Sequence, residues 1–443
     1  MCWYLFTLIK IRQSVVAILK ATFYKTLTKK VKKQKRINKN EQVKKQLEVL
    51  KIAIQTQDET LIAHQLAKFD LSELTNLVQT DRVGALAHID AMLLQGDDSV
   101  FDKLIEWANE REISPSKFPR DKDALKALKE LNLSNCDLKT LPQELVCLQG
   151  LEELNVSKNK FQGVVPRVIC ELKNLKKLSL NDCGLNDLPD EFAKLQGFES
   201  LDLGGNTFQK APKALCELKN LKELILNKCG LKTLPDEFAK LQGLESLTLV
   251  NNGLYEFPKV LCQLTSLKKL DLLRCGLETL PYEIVNLQGL EELVLGYNNF
   301  KEFPNALCGL INLKSLNLAR CGLETLPDTL EVLQKLEKLY LPLNQLVCDK
   351  WLDSRDLPKV IFKLRNLQEL DLCKCNIPSF STLPKEFLNL QNLKKLFINS
   401  ANHWDTGTFF DDDTSVLNKL QIQIESRGGR LEIHTSTKFE FFW

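Results

Sequence analysis

The sequence predicts an α/β fold: a right-handed solenoid of short parallel strands, with a helical cap before it and a helix–strand cap after it. Three observations carry this. One pattern recurs about every 23 residues between Leu125 and Leu396. Within each copy leucines alternate with period two, as in Leu178-Ser179-Leu180, the mark of a half-buried strand. The flanks lack the pattern and read as helical. A unit this short buries its apolar side only against its neighbours, so the repeats form one body whose business is presenting surface.

Eleven units begin near Leu125, Leu151, Leu175, Phe198, Leu221, Leu244, Leu267, Leu290, Leu313, Leu336 and Leu367, with a partial one from Leu393. The step from Leu151 to Leu175 is one residue long, through Gly163-Val164-Val165-Pro166. The step from Leu336 to Leu367 is 31, which places eight inserted residues near Val347–Asp356. Where each strand ends, the chain must turn, and its buried backbone groups need partners. Even units put Asn there (Asn159, Asn206, Asn252, Asn298, Asn344), and odd units Cys (Cys136, Cys183, Cys229, Cys275, Cys321, Cys375). Pro142, Pro189, Pro235, Pro281 and Pro327 fix φ as the chain enters the second half of the odd units. Residues 188–197 recur identically at 234–243, so the true period is two repeats.

These motifs resemble the leucine-rich repeats of the 23-residue L-x-x-L-x-L-x-x-N/C-x-L-x-x-L-P class. The lead-in Phe118-Pro119-Arg120-Asp121 is similar to that of bacterial and cytosolic members. The resemblance covers residues 123–400 and implies that the parallel sheet lines a concave side.

Residues 1–46 form a basic leader. The first 51 residues carry 14 Lys/Arg against two Asp/Glu, and the remainder 46 against 55. Met1–Tyr24 is apolar but interrupted by Lys10, Arg12 and Lys20, and its longest run, Trp3–Ile9, is far shorter than the ~20 residues of a membrane span. Tyr4, Leu8, Ile11, Val15 and Ile18 fall at helical spacing. An amphipathic helix on an anionic membrane surface, an organelle-targeting leader and a start assigned too far upstream all fit. Lys29–Lys45 reads as a solvated charge run without aromatics for stacking, which argues against a specific nucleic-acid role.

Residues 47–122 read as a helical N-terminal cap, with an independent helical module as the alternative. Asp97-Asp98-Ser99 is placed to cap a helix carrying Phe101, Leu104, Ile105 and Ala108. Residues 401–443 read as a C-terminal cap: an acidic loop Asp405–Asp413, a helix Ser415–Arg427, a stop at Gly428-Gly429 and a strand Leu431–Thr435.

Fourteen cysteines invite a disulfide reading, but those of alternate strands should lie roughly 10 Å apart, beyond a bridge's reach. A second set, Cys147, Cys170, Cys216, Cys262 and Cys308, falls on the convex half. All read as buried thiols, which points to a reducing compartment and a cytoplasmic or membrane-peripheral location, with a secreted effector still open. Cys373-Lys374-Cys375 is the one close pair of cysteines, and no shared metal is expected there.

Catalysis finds no support. The four histidines (His64, His88, His403, His434) stand apart from other ligands, and no phosphate loop or nucleophile elbow is present. The stretch after the repeats is too short for a ligase domain of the kind some bacterial effectors carry there. No cofactor or small-molecule substrate is implied. Outward strand positions are small and polar in the first four units. From the fifth to the tenth they turn apolar, aromatic and basic: Ile225, Lys228, Val250, Leu273, Arg274, Val294, Tyr297, Arg320, Tyr340 and Leu343. Aromatics beside Arg make the composition of a protein-binding site, whereas β-propensity alone would also put Val, Ile and Tyr on strands. The function expected is a non-enzymatic scaffold or adaptor that captures a protein partner. The alternative is a bacterial effector or membrane-peripheral adaptor placed by its leader.

Overall fold

The computed structural model describes residues 37–57, 98–346, 357–375, 384–399 and 416–434, with residues 62, 63, 65, 66, 85, 86 and 89. The readings made for residues 1–36, for most of the insertion, for the acidic loop and for the apolar tail lie outside the described residues. Two compact units divide the chain, Met1–Leu154 with Val165–Leu175 and Asn155–Val164 with Lys176–Trp443.

In the first unit, α1 (Ile37–Thr56) continues the basic segment, so the charge run is helical from Ile37 onward. Its Leu47, Leu50, Ala53 and Ile54 pack with Ile62, Ala85 and Ile89 in a core of their own. That core fits the helical-module alternative for the start of this region. α2 (Ser99–Glu110) buries Val100, Phe101, Leu104 and Ala108, one face of an amphipathic helix. The expected cap fails: the Asp98 side chain makes no cap hydrogen bond and pairs with Lys126 at 3.1 Å instead. Asp98 is itself helical (φ −67°, ψ −16°), so its carboxylate is not placed to reach the first free N–H groups. Trp107 meets buried Phe118 edge-on at 5.9 Å, and Arg120 donates to the carbonyls of Ile113 and Phe118, fixing the connector. A short α3 (Lys122–Lys126) is capped by Asp121, whose carboxylate accepts from Ala124 N–H at 2.7 Å. Leu125 lies in this helix, so the first repeat begins later than expected, and β1 (Glu130–Asn132) and β2 (Glu153–Asn155) are then in the regular frame.

The second unit carries β3 (Lys177–Ser179), β4 (Ser200–Asp202), β5 (Glu223–Ile225), β6 (Ser246–Thr248), β7 (Lys269–Asp271), β8 (Glu292–Val294), β9 (Ser315–Asn317), β10 (Lys338–Tyr340), β11 (Glu369–Asp371), β12 (Lys395–Asn399) and β13 (Arg430–His434). They hydrogen-bond in chain order. Their central leucines stand in register, Leu178↔Leu201 and Leu224↔Leu247 among them, all buried. Each proline predicted to fix φ leads into a five-residue 3-10 helix, such as Asp190–Lys194 after Pro189, so the opposite side of each coil is made of short helical turns. The acidic pairs Asp190-Glu191 and Asp236-Glu237 open two of these turns.

At the C-terminal end, α4 (Val416–Glu425) buries Leu420 and Ile424, and β13 continues the sheet beside β12. Gly428, at φ +70°, ends the helix in the left-handed region. A side chain at Gly429 would collide with the backbone of Lys394.

Candidate binding face

The third residue of every strand forms one column across the sheet, in the register Asp202↔Ile225↔Thr248↔Asp271↔Val294↔Asn317↔Tyr340↔Asp371. Its polar members serve their own chain. Asp202 accepts from Gly204 N–H at 2.9 Å, Asp271 from Leu273 at 3.0 Å, Asn317 from Ala319 at 2.9 Å and Asp371 from Cys373 at 2.9 Å. These are Asx turns that end each strand. Burial raises the pKa of Asp202 and Asp271. Where the column holds neither Asp nor Asn, as at Thr248 and Tyr340, the turn needs another solution. Val250 N–H finds the Asn227 side chain at 2.8 Å, and two residues past Tyr340 stands Pro342, which has no N–H to satisfy.

The outward positions that include Arg274, Tyr297 and Arg320 are not on the strands, where the sequence reading placed them. Lys228, Asn251, Arg274, Tyr297, Arg320, Leu343 and Lys374 all sit just past them with φ between 49° and 63°. This left-handed conformation is one that Gly and Asn adopt cheaply and bulky residues do not. β-propensity therefore does not explain an Arg, Tyr or Leu at these positions. The same turn moves Cys373 and Cys375 off the strand, and both are buried. Pro342, Ala319 and Asn317 are also buried, so only part of the outward surface read from the sequence is accessible.

All ten predicted residues reach the surface. Lys228, Arg274 and Arg320 are exposed, and Ile225, Val250, Leu273, Val294, Tyr297, Tyr340 and Leu343 are half-buried. The structure joins three of them directly. The Arg274 guanidinium lies 4.5 Å from the Tyr297 ring centroid and that of Arg320 lies 5.6 Å from it, both within cation–π range. Tyr340 stands in a different group, with its hydroxyl donating to Glu369 Oε2 at 2.7 Å. Burial and the Glu369 carboxylate push the phenol above its ordinary pKa. Lys395 approaches Glu369 at 2.9 Å and Lys338 at 3.9 Å. Sequence reasoning missed Glu369 because it lies 29 residues from Tyr340, across the insertion. Aligning Leu339 with Leu370 would have brought the two together.

Beneath the face runs a polar ladder. Asn252 Oδ1 accepts from Cys229 N–H at 3.1 Å and Leu231 N–H at 3.0 Å, and its Nδ2 donates to Leu226 O at 2.8 Å and Leu249 O at 2.7 Å. Asn206, Asn298 and Asn344 repeat the pattern. From Cys183 onward the odd-unit cysteines donate backward instead, as Cys229 Sγ does to Leu203 O at 3.3 Å. Cys183, Cys229, Cys275, Cys321 and Cys375 carry thiols, and burial pushes their pKa up, to about 12 at Cys229, Cys275 and Cys321. Among the described residues no three His, Cys, Asp or Glu side chains gather as a metal site, and no helix is long and apolar enough to cross a membrane.

Comparison with known proteins agrees with this geometry. A leucine-rich repeat region profile matches residues 167–275, and leucine-rich repeat profiles match residues 126–185, 265–323 and 366–390. No curated protein matches the chain. A solved leucine-rich-repeat protein of Leptospira interrogans is 31% identical, aligned over 71% of this chain and 80% of that one, with a TM-score of 0.56. An internalin of Listeria monocytogenes shares the fold at 20% identity and a TM-score of 0.51, over 76% of this chain and 95% of that one. With the register, the turn prolines and the asparagine–cysteine ladder, these similarities show that the chain belongs to the leucine-rich-repeat proteins.

Proposed function

We propose that the protein is a non-enzymatic scaffold that captures a protein partner on the strand-lined face of its fifth to tenth repeats. The observation that carries this is the Arg274–Tyr297–Arg320 stack, built from residues in a backbone conformation that penalises large side chains. Half-buried Val250, Leu273, Val294 and Leu343 surround it with apolar surface. Aromatic and Arg anchors within an apolar fringe are how interfaces concentrate binding energy. A reducing, cytoplasmic setting is the proposed location, supported by the buried thiols of the ladder.

Photo-crosslinking tests the reading. A benzoylphenylalanine at position 343 samples the proposed face, and one at exposed Tyr282 samples the 3-10 side. In lysate from the source cells, position 343 should yield a discrete adduct that Tyr297→Ala with Arg320→Ala abolishes. Adducts from position 282 alone would place the working surface elsewhere. Ser157 is unsuited as a polar control, since it is buried and its Oγ donates to Asn155 at 2.7 Å. Exposed Lys158 in the same unit serves better.

A further inference from the structure

The binding face carries two arginines that the protein itself does not use. Among the described residues neither the Arg274 nor the Arg320 guanidinium has an ion pair or a hydrogen bond, and both residues are exposed. Several charged side chains elsewhere on the sheet are matched: Lys269 with Glu292 at 2.7 Å, Lys395 with Glu369 at 2.9 Å and Lys268 with Glu245 at 2.6 Å. Stacking on Tyr297 restrains both guanidiniums while leaving their N–H groups without protein acceptors. A planar fork of donors held this way is suited to two-point recognition of carboxylates.

We propose that this stack reads an extended acidic peptide segment with two carboxylate side chains two residues apart. The inference rests on the protein-binding reading above and specifies its chemistry. The spacing follows from the fold. Arg274 and Arg320 belong to units two strands apart, roughly 10 Å at ~4.8 Å per strand. An extended chain rises ~3.3 Å per residue and alternates its side chains between two faces, so residues two apart present both carboxylates on one side about 7 Å apart, within reach of two long Arg side chains. Nucleic acid fits less well: the flanks are apolar, and beyond residue 51 the chain has 55 Asp/Glu against 46 Lys/Arg.

The experiment is selection of a random peptide library displayed on phage against the full chain, followed by fluorescence anisotropy with the enriched peptides. Expected is enrichment of paired Asp/Glu. Binding should fall about tenfold or more in the Arg274→Gln/Arg320→Gln double variant, or when the peptide carboxylates become amides. Lys158→Gln, at the same turn position outside the patch, should change nothing. High salt should weaken binding. Enriched peptides without acidic pairs, no enrichment at all, or equal binding to the double variant would overturn the proposal. If such peptides still lose affinity with Tyr297→Asn, the face binds protein by other chemistry and only the acidic specificity fails. If they ignore Tyr297 as well, both readings fail. Displacement of a bound peptide by an oligouridylate at lower concentration than by a second acidic peptide would point to nucleic acid and sink the acidic-peptide assignment.

Discussion

An asparagine at the end of a strand can satisfy four backbone groups, and a cysteine at the same place donates one weak bond. Asn252 uses all of this capacity across two units, holding Cys229 N–H and Leu231 N–H behind it while bonding Leu226 O and Leu249 O. Asn252→Ala should therefore leave three buried groups without partners, Leu249 O alone keeping the Cys275 thiol at 3.2 Å. Each orphaned group costs ~1–3 kcal/mol, so even with water entering the gap a loss of about 3 kcal/mol or more is expected by urea unfolding. Amide exchange at Cys229 and Leu231 should accelerate in the same variant. Cys229→Ala should cost only about 1 kcal/mol, one weak hydrogen bond and a small volume; equal losses from the two would refute the division of labour. The left-handed column gives a second test. Leu343 at φ +63° bears a conformational penalty of ~1–2 kcal/mol, against ~0.5–1 kcal/mol for the greater unfolded freedom of Gly. Leu343→Gly should leave the melting temperature unchanged or slightly higher while weakening partner binding. A marked fall in melting temperature would mean that Leu343 is packing and not presentation.

The repeat is chemically a pair of units, and that alternation sets which junction each contact closes. The Asn of an even unit clamps it to the odd unit before, as Asn206 does to Cys183 and Leu185. The next odd unit reaches back through its thiol and through a Lys: Cys229 to Leu203 O, and Lys222 to Glu199 at 2.9 Å. Lys268–Glu245 and Lys314–Glu291 repeat the ion pair two and four units on. The hydrogen bond from Lys222 lowers the pKa of Glu199, but these pairs are solvent-exposed and count for register more than stability. The Cys/Asn alternation and the 23-residue frame were legible because they repeat. The partners were not, because each lies in a neighbouring unit, and a pattern inside one unit does not say which neighbour it serves. The left-handed column was likewise hidden, since a strand continuing past Ile225 or Tyr340 and a strand ending there share one leucine spacing. Burial of the thiols adds a pH test. Their folded pKa values, about 11 at Cys183 and about 12 at Cys229, Cys275 and Cys321, lie above the ordinary 9.0. Below pH 9 they are protonated folded and unfolded alike, and their contribution to stability is fully present. As pH rises from about 9 toward 12 only the unfolded chain ionises, so stability should fall. Replacing Cys229 and Cys275 by Ala should flatten that fall in urea midpoints measured from pH 8 to 10.5. An unchanged slope would assign the alkaline loss to other groups.

Across the whole chain the charge is divided, with a basic start and an acidic remainder. The helix α1 changes how the basic segment must be tested. It runs without interruption from Ile37 to Thr56, and its Leu47, Leu50, Ala53 and Ile54 are buried in the helical core of the first unit. Truncating at residue 45 would cut this helix just before its first buried leucine and confuse loss of a leader with loss of a fold. Removing residues 1–36 avoids that, because it takes ten of the chain's Lys/Arg and no Asp/Glu while leaving the whole helix. If the leader docks on anionic membrane surface, the full chain should co-sediment with phosphatidylserine-containing vesicles and the truncated chain should not. Binding should weaken as salt rises, because the screening length shortens from ~10 Å at 0.1 M to ~3 Å at 1 M. The truncated chain should unfold in urea at the same midpoint as the parent and bind an acidic peptide through Arg274 and Arg320 equally well, since location and recognition then reside in different parts of the sequence. Vesicle binding that survives the truncation would move the membrane contact to Lys39, Lys44, Lys45 and the rest of α1. Absence of vesicle binding by the full chain would leave targeting or a misplaced start as the explanations for the leader, with the repeats still free to act as a scaffold.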